Sequence, residues 1–148
     1  VDIANGATLD LGGSVQALAD LSGSGVVSNG ALTVTGTIAP GGLNTLGTLT
    51  VASNAVFTGT LLIDIADGSN NSDTLAVNGT ADISGLSLVI ANPESLNRSM
   101  QYTVMTLSGT RTGTFESVTV PDSRWHVVYQ ADGTVKLLFQ DGTIMLLR

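Results

Sequence analysis

Short runs in which apolar residues alternate with small polar residues recur along this chain, and a turn residue precedes most of them. The same phrase appears at four places as Gly30-Ala-Leu-Thr-Val, Gly47-Thr-Leu-Thr-Val, Gly59-Thr-Leu-Leu-Ile and Asp73-Thr-Leu-Ala-Val. Alternation with a period of two residues is typical of strands that bury one face. Similar phrases return every ~15 to 25 residues, which is the spacing expected of stacked repeats. The pattern therefore predicts an all-β chain with no helix longer than a turn.

Proline, glycine and asparagine mark the bends between these runs. Pro40 has no N–H to donate to a strand ladder, and Gly41-Gly42 can adopt positive φ, so the chain is predicted to bend there. Asn29-Gly30 is the strongest short turn signal in the sequence. It predicts a turn between strands over residues 26–28 and 32–34.

The run that follows Gly59 indicates which residues are buried. A period of two places Leu61, Ile63 and Ile65 on one face and Leu62 and Asp64 on the other. The chain is 43% apolar but only 4% aromatic. Its core is therefore predicted to consist mainly of aliphatic side chains.

Three features favour a parallel β-helix, a solenoid of stacked rungs, over a β-sandwich or a β-barrel. The strands are very short, aromatic residues are almost absent from the first two-thirds, and the phrases repeat. A sandwich core usually needs larger residues to fill the ~10 Å between its sheets. Stacked rungs instead place Val above Val and Leu above Leu, so small aliphatic residues suffice.

The sequence changes after Asn92, where most of the aromatic residues and two Asp-Gly turns, Asp132-Gly133 and Asp141-Gly142, follow a polar connection. Solenoids need covered ends. Residues 1–92 are therefore predicted to form the β-helix rungs, and residues 93–148 a C-terminal, β-hairpin-rich cap of the same domain. Four large side chains of this cap are expected to be well buried: Tyr102, Phe115, Trp125 and Phe139. A final strand is expected at Ile144-Met-Leu-Leu, after an Asp141-Gly142 turn.

Composition and charge exclude several classes of function. The net charge is −7, and five basic residues cannot neutralise a run of phosphates, which argues against nucleic acid and against an anionic membrane surface. The absence of cysteine excludes disulfides, thiolate metal sites and thiol catalysis. No apolar stretch reaches the ~20 residues that span a bilayer, so no direct membrane insertion is expected.

A surface rich in Thr, Ser and Asn, with only 11% charged residues, is common in secreted β-proteins. The chain begins at Val1 without methionine, which suggests a processed or excised fragment. The first eleven residues enter directly as strand, and only Asp2 and Asp10 lie there to discourage pairing by charge. Self-association through this N-terminal rung is therefore expected.

One loop offers a weak candidate for a calcium site. Oxygen-bearing side chains occur at the alternate positions Asp67, Ser69, Asn71 and Asp73, and hard cations bind such oxygens. The glutamate that closes an EF-hand loop is missing, and a polar turn explains the same residues. The prediction is that no specific ion and no cofactor binds.

Candidate catalytic residues are sparse. His126 is the only histidine, and alternation places it on the strand face opposite Trp125, where an exposed or hydrogen-bonded residue is expected. The acidic residues are dispersed and no pair has a spacing that indicates acid–base catalysis. The chain is therefore predicted not to be an enzyme. The alternative is a segment that binds or degrades polysaccharide with four candidate acids: Asp64, Asp67, Asp73 and Glu116.

Several of these phrases together resemble the autotransporter passenger domains of Gram-negative bacteria. The matching runs cover residues 34–42, 46–51 and 59–65, which are similar to the autotransporter-associated β-strand repeat. Residues 72–81 and 102–115 are similar to the pertactin-like C-terminal passenger region. In order and spacing the resemblance covers about residues 23–120.

The resemblance implies a right-handed β-helix that ends in a capping, autochaperone-like segment. It also implies partners in a parent protein, namely preceding rungs and a C-terminal translocator barrel, and a location in the secreted fraction or on the Gram-negative cell surface. The expected function is that of a structural stalk and folding cap that can support adhesion. A self-assembling extracellular filament subunit is a further alternative.

Overall fold

The computed structural model describes residues 1–140, and this part of the chain is all-β. Its strands are β1 (Asp2–Ile3), β2 (Thr8–Asp10), β3 (Val15–Leu18), β4 (Leu21–Gly23), β5 (Val26–Val34), β6 (Thr37–Pro40), β7 (Thr48–Phe57), β8 (Thr60–Ile63), β9 (Thr74–Val77), β10 (Ala81–Asp82), β11 (Ser87–Ile90), β12 (Gln101–Leu107), β13 (Arg111–Thr112), β14 (Ser117–Thr119), β15 (Trp125–Tyr129) and β16 (Thr134–Phe139). A single 3₁₀ turn (Pro93–Ser95) precedes β12. Over residues 1–140, no helix is long and apolar enough to cross a membrane.

The strands form three ladders of parallel neighbours. Ladder 1 contains β2, β5, β7, β9 and β12, ladder 2 contains β3, β5, β7, β10 and β13, and ladder 3 contains β1, β4, β6, β8, β11 and β14. Strands β5 and β7 are long enough to belong to two ladders, since their first halves pair in ladder 1 and their second halves in ladder 2. From β2 to β14 the chain visits ladders 1, 2 and 3 in that order, five times over.

The core is built from aliphatic residues that follow one another along each ladder. In ladder 3 the paired positions Leu21, Ile38, Leu61 and Leu88 are all fully buried. Ladder 1 aligns Val27, Val51 and Val77 in the same way. The predicted stacking of like aliphatic residues is confirmed. Since each ladder position meets a residue of similar volume, few aromatic side chains are needed.

The prediction of a turn at Asn29-Gly30 is wrong, because β5 continues from Val26 to Val34. The register of β5 shifts between Ser28 and Ala31, and Asn29 has a φ of 60° there, as in a β-bulge. The two halves of β5 pair with β2 and β3 rather than with each other. The positive φ that Asn favours therefore bends the strand from one ladder to the next instead of reversing the chain.

Two other local predictions, the bend at Pro40 and the buried face of β8, agree with the structure. Strand β6 ends at Pro40, and Gly41 and Gly42 have φ of 76° and 85°, so the predicted bend is confirmed. Leu61, Ile63 and Ile65 are buried as expected. Asp64, predicted on the opposite face, is buried as well, with only 7% of the residue exposed.

An antiparallel hairpin follows the parallel ladders. Strand β16 pairs antiparallel with both β12 and β15, so ladder 1 continues through β16 to β15. Parallel pairing itself persists past residue 93, through β13 and β14. Three of the four expected aromatic residues, Tyr102, Phe115 and Trp125, are buried, and Phe139 is half-buried against them. The predicted Asp141-Gly142 turn and the strand at residues 144–147 lie outside the described residues.

Candidate functional site

The connection between β8 and β9 carries most of the sequence-predicted site residues. It folds back on itself, since Ile65 and Ser72 form an antiparallel bridge and the N–H of Ala66 donates to the carbonyl of Asn71 at 2.9 Å. Asp64 and Asp73 therefore meet at the base of this loop, where the N–H of Asp73 donates to the carbonyl of Asp64 at 2.9 Å. The loop places two carboxyl groups side by side.

Asp73 is completely buried and its carboxylate binds two backbone N–H groups. The N–H of Gly47 donates to Oδ1 at 2.9 Å, and the N–H of Asp64 donates to Oδ2 at 2.8 Å. Gly47 belongs to the connection between β6 and β7, 26 residues away in the sequence. One side chain thus connects the loop to the preceding pass, where a pass is one visit of the chain to ladders 1, 2 and 3.

Burial raises the pKa of the Asp73 carboxyl from its ordinary value of 3.8 to about 7. The two N–H donors, from Asp64 and Gly47, act against this rise because they favour the charged form. Repulsion by the neighbouring Asp64 carboxylate and a hydrogen bond with it raise the pKa further. Near neutral pH Asp73 is therefore poised between its protonated and ionised forms.

Asn92 also contacts this loop, through the backbone of Ile65. Its Oδ1 accepts a hydrogen bond from the N–H of Ile65 at 2.8 Å, and its Nδ2 donates to the carbonyl of the same residue at 2.7 Å. A cleft of about 180 Å³ lies beside it, lined by Asn44, Leu46, Asp64, Ile65, Ala66 and Asn92. No sequence pattern indicates this role, because Asn92 is one of several polar residues in the connection before β12.

The residues of the candidate calcium loop lie in different environments. Asp67 and Asn71 are exposed, and the Oγ of Ser69 accepts a hydrogen bond from the N–H of Asn71 at 3.2 Å. Asp73 lies at the buried base of the loop, with its carboxylate on the two N–H groups described above. Within residues 1–140 no group of three or more His, Cys, Asp or Glu side chains is arranged to hold a metal ion.

The candidate acids of the polysaccharide alternative are only partly brought together. Asp64 and Asp73 are in contact, Asp67 is exposed on the same loop, and Glu116 is exposed just before β14, in another part of the fold. A carboxyl with a raised pKa beside a second carboxylate is a common feature of acid–base sites. Here, however, Asp73 has no exposed surface with which to contact a polymer. The arrangement suits a structural role, in which Asp73 holds the backbone segments of Gly47 and Asp64 together.

His126 lies exposed on β15, opposite the buried Trp125, as the alternation predicted. The larger polar cleft, of about 370 Å³, lies between the turns that follow β12 and β15 and includes Arg111 and Asp132 in its lining. The guanidinium of Arg111 lies 4.3 Å from the centre of the Tyr129 ring. Sequence reasoning missed this cleft because it depends on how the hairpin docks on β12.

Comparison with known proteins adds no further assignment: no family model, no curated protein and no solved structure matches this chain.

Proposed function

We propose that this chain is a right-handed parallel β-helix segment of a secreted or surface-exposed bacterial protein of the autotransporter passenger type. In this proposal the segment has no enzymatic activity. It acts as a rigid stalk that can support adhesion, and its C-terminal part covers the end of the stack and assists folding.

The observation that carries the proposal is the repeated visit to three parallel ladders in a fixed order. A chain that winds in one direction through the same three ladders stacks each pass on the one before. Parallel strands joined within a sheet take right-handed connections in about 98% of cases, which is the reason for proposing that hand. The aliphatic rows of Leu21–Ile38–Leu61–Leu88 and Val27–Val51–Val77 agree with such stacking.

The capping role is supported by the side chains of the β15–β16 hairpin. Trp125 packs edge-on against Phe139, with ring centres 5.4 Å apart, and lies 6.4 Å from the ring of Tyr102. The guanidinium groups of Arg98 and Arg124 lie 4.8 Å and 5.1 Å from the centre of the Phe139 ring. Aromatic pairs and cation–π contacts stabilise the hairpin in addition to the apolar area that it buries. Removal of residues 100–148 is expected to cause aggregation.

Two measurements test the proposal. Antibodies raised against the chain should label intact cells of the source bacterium, and incubation of the chain with a panel of polysaccharides should release no sugar. Labelling only after lysis would contradict the surface location. Release of sugar from a polysaccharide panel, abolished by Asp64→Asn but not by the half-buried Asp82→Asn, would overturn the non-enzymatic assignment in favour of the polysaccharide alternative.

A further inference from the structure

The longest connections in residues 1–140 lie at one corner of the fold, between ladder 3 and ladder 1. They are residues 41–47 between β6 and β7, 64–73 between β8 and β9, and 91–100 between β11 and β12. Neighbouring loops contact each other, since Asp73 accepts the N–H of Gly47. In the same way, Asn92 binds the backbone of Ile65. The cleft of about 180 Å³ described above lies among these three loops, and we call it the loop cleft.

The lining of the loop cleft combines an apolar wall with a carboxyl group. Leu46, Ile65 and Ala66 contribute the wall, and Asp64 contributes the carboxyl. Leu46 is 41% exposed, so part of the wall faces solvent. The volume of the cleft is below the ~300–1,000 Å³ of small-molecule sites. The loop cleft therefore suits one side chain better than a whole small-molecule ligand.

Asp64 is almost fully buried, yet it has no cationic partner within residues 1–140. Only 7% of the residue is exposed. The ion pair in this part of the chain joins Arg124 to Asp122. The neighbour of Asp64 is instead a second carboxyl, that of Asp73, with which it shares a hydrogen bond. Because acidic side chains are rarely buried without a partner, a cation supplied by another molecule would complete the surroundings of Asp64.

The charge around the loop cleft also favours a cation. Asp67 and Glu94 are exposed on two of the three loops, and residues 1–97 contain no Lys or Arg. Arg98 is the first basic residue of the chain, and its guanidinium lies 4.8 Å from the centre of the Phe139 ring. Acidic side chains therefore dominate this surface, and their field attracts positively charged groups.

A lysine side chain matches this lining better than an arginine or a metal ion. Its aliphatic stem can lie along Leu46 and Ile65 while its ammonium group reaches the carboxyl of Asp64. The hydrogen bond with Asp73 already engages part of that carboxyl, which disfavours bidentate pairing with a guanidinium. A metal ion would gain nothing from the apolar wall. Within residues 1–140 no group of three or more His, Cys, Asp or Glu side chains is arranged to hold one.

We propose that the loop cleft binds a lysine side chain of a partner protein, with its ammonium group on Asp64 and its stem against Leu46 and Ile65. One side chain supplies only weak affinity, so an isolated lysine peptide should bind with a millimolar dissociation constant. A folded partner that also contacts the loops binds more tightly. This binding does not rest on the proposed stalk role, because a cleft between loops can hold a side chain wherever the protein is located.

An NMR titration of the isotopically labelled full chain tests the proposal, with the peptide acetyl-Gly-Lys-Gly-amide as the probe. We expect saturable shifts of the amide signals of Ile65, Ala66 and Asn92. The same peptide with Nε-acetyllysine keeps the stem but loses the charge, and it should bind about tenfold more weakly or less well still. Asp64→Asn should weaken binding by about tenfold or more. Asp67→Asn removes the same charge from an exposed position on the same loop and should leave the dissociation constant within about twofold.

A second variant tests the apolar wall without a change of charge. Leu46→Gln, at a partly exposed position that the fold should tolerate, should weaken binding of the lysine peptide by about fourfold, the equivalent of one buried methylene group. Amide spectra that are unchanged away from the loop cleft would verify that each variant is folded.

Four outcomes would overturn the proposal. The first is the absence of saturable shifts with the lysine peptide, and the second is equal binding of the acetylated peptide. The third is an equal loss of binding in Asp64→Asn and Asp67→Asn, which would indicate non-specific attraction to an acidic surface. The fourth is binding that appears only after Arg148→Gln, which would assign the loop cleft to a basic residue of the chain itself. None of these outcomes would bear on surface labelling of cells.

Discussion

The buried carboxyl of Asp73 should make the stability of this protein fall as the pH rises toward neutrality. In the folded state burial raises the pKa of Asp73 from 3.8 to about 7, so over this range the folded chain holds a proton that the unfolded chain releases. The free energy of unfolding therefore decreases by about 1.4 kcal/mol per pH unit across the interval. Over roughly three units the loss is about 4 kcal/mol, which corresponds to a fall in Tm of about 10 °C for a domain of this size.

Other carboxyl groups act in the opposite direction but at lower pH. Hydrogen bonds lower the pKa of Asp10, Asp82, Asp122 and Asp132, so their contribution is complete above the ordinary carboxyl pKa and is lost only as the pH falls below it. Between pH 5 and 7 the slope should therefore come from Asp73. Stability is then expected to be greatest near pH 4 to 5 and to level off above about pH 7.

Denaturant unfolding at half-unit intervals from pH 4.5 to 8.5 measures this slope. The Asp73→Asn protein should lose the slope, because its amide does not titrate, and should be less stable at pH 5, because its NH₂ group cannot accept the second N–H. Asp82→Asn, at a half-buried carboxyl whose pKa is lowered by hydrogen bonds with Ser84, is the matched control and should keep the slope. Stability that is flat or rises between pH 5 and 7 in the unmodified protein would refute the reasoning.

Three further predictions concern the core, a close backbone approach and the loop after β8. Leu61→Ala should cost about 2–5 kcal/mol in the free energy of unfolding, and the half-buried Leu62→Ala clearly less, as measured by denaturant unfolding. A Cβ at Gly59 would overlap the carbonyl oxygen of Gly36, so Gly59→Ala should lower Tm markedly. Gly85→Ala should be mild, because its Cβ would meet only Thr58 of the preceding pass, at 3.3 Å or more. Calcium at millimolar concentration should leave Tm unchanged; a rise abolished by changing the loop acids would show a bound ion.

Much of the local structure could be predicted because it follows from short-range periodicity. The alternation around Leu61 and Ile63 identifies the buried face, and the Pro40 bend follows from the missing N–H and the glycines after it. The Asp132-Gly133 turn is also found, with Gly133 at a φ of 91° between β15 and β16. In each case the residues that decide the conformation are neighbours in the sequence.

The failures occur where a distant segment decides the outcome. Asn29 favours a positive φ in a turn and in a bulge alike, and only the presence of two ladder partners, β2 and β3, makes it a bulge. Asp64 is in the outward phase of its run, yet the folded-back loop covers it. The Asp73 carboxylate is held in part by the N–H of Gly47, 26 residues away, and no local sequence pattern links these two residues. Sequence periodicity therefore predicts the strands better than the candidate site.

Several side chains bind the backbone of an adjacent pass in this chain, which has no cysteine. The carboxylate of Asp20 accepts the N–H of Thr37 at 2.7 Å, and the amide oxygen of Asn54 accepts the N–H of Thr80 at 3.0 Å, with sequence separations of 17 and 26 residues. These bonds lie at corners, where the ladders supply no partner for the backbone N–H, so each removes an unpaired donor that would otherwise cost free energy. Because each such contact joins only adjacent passes, a substitution at one corner should weaken the fold locally and leave distant ladder positions paired. Such locality would suit the proposed stalk role, since damage to one pass would leave the remaining passes paired.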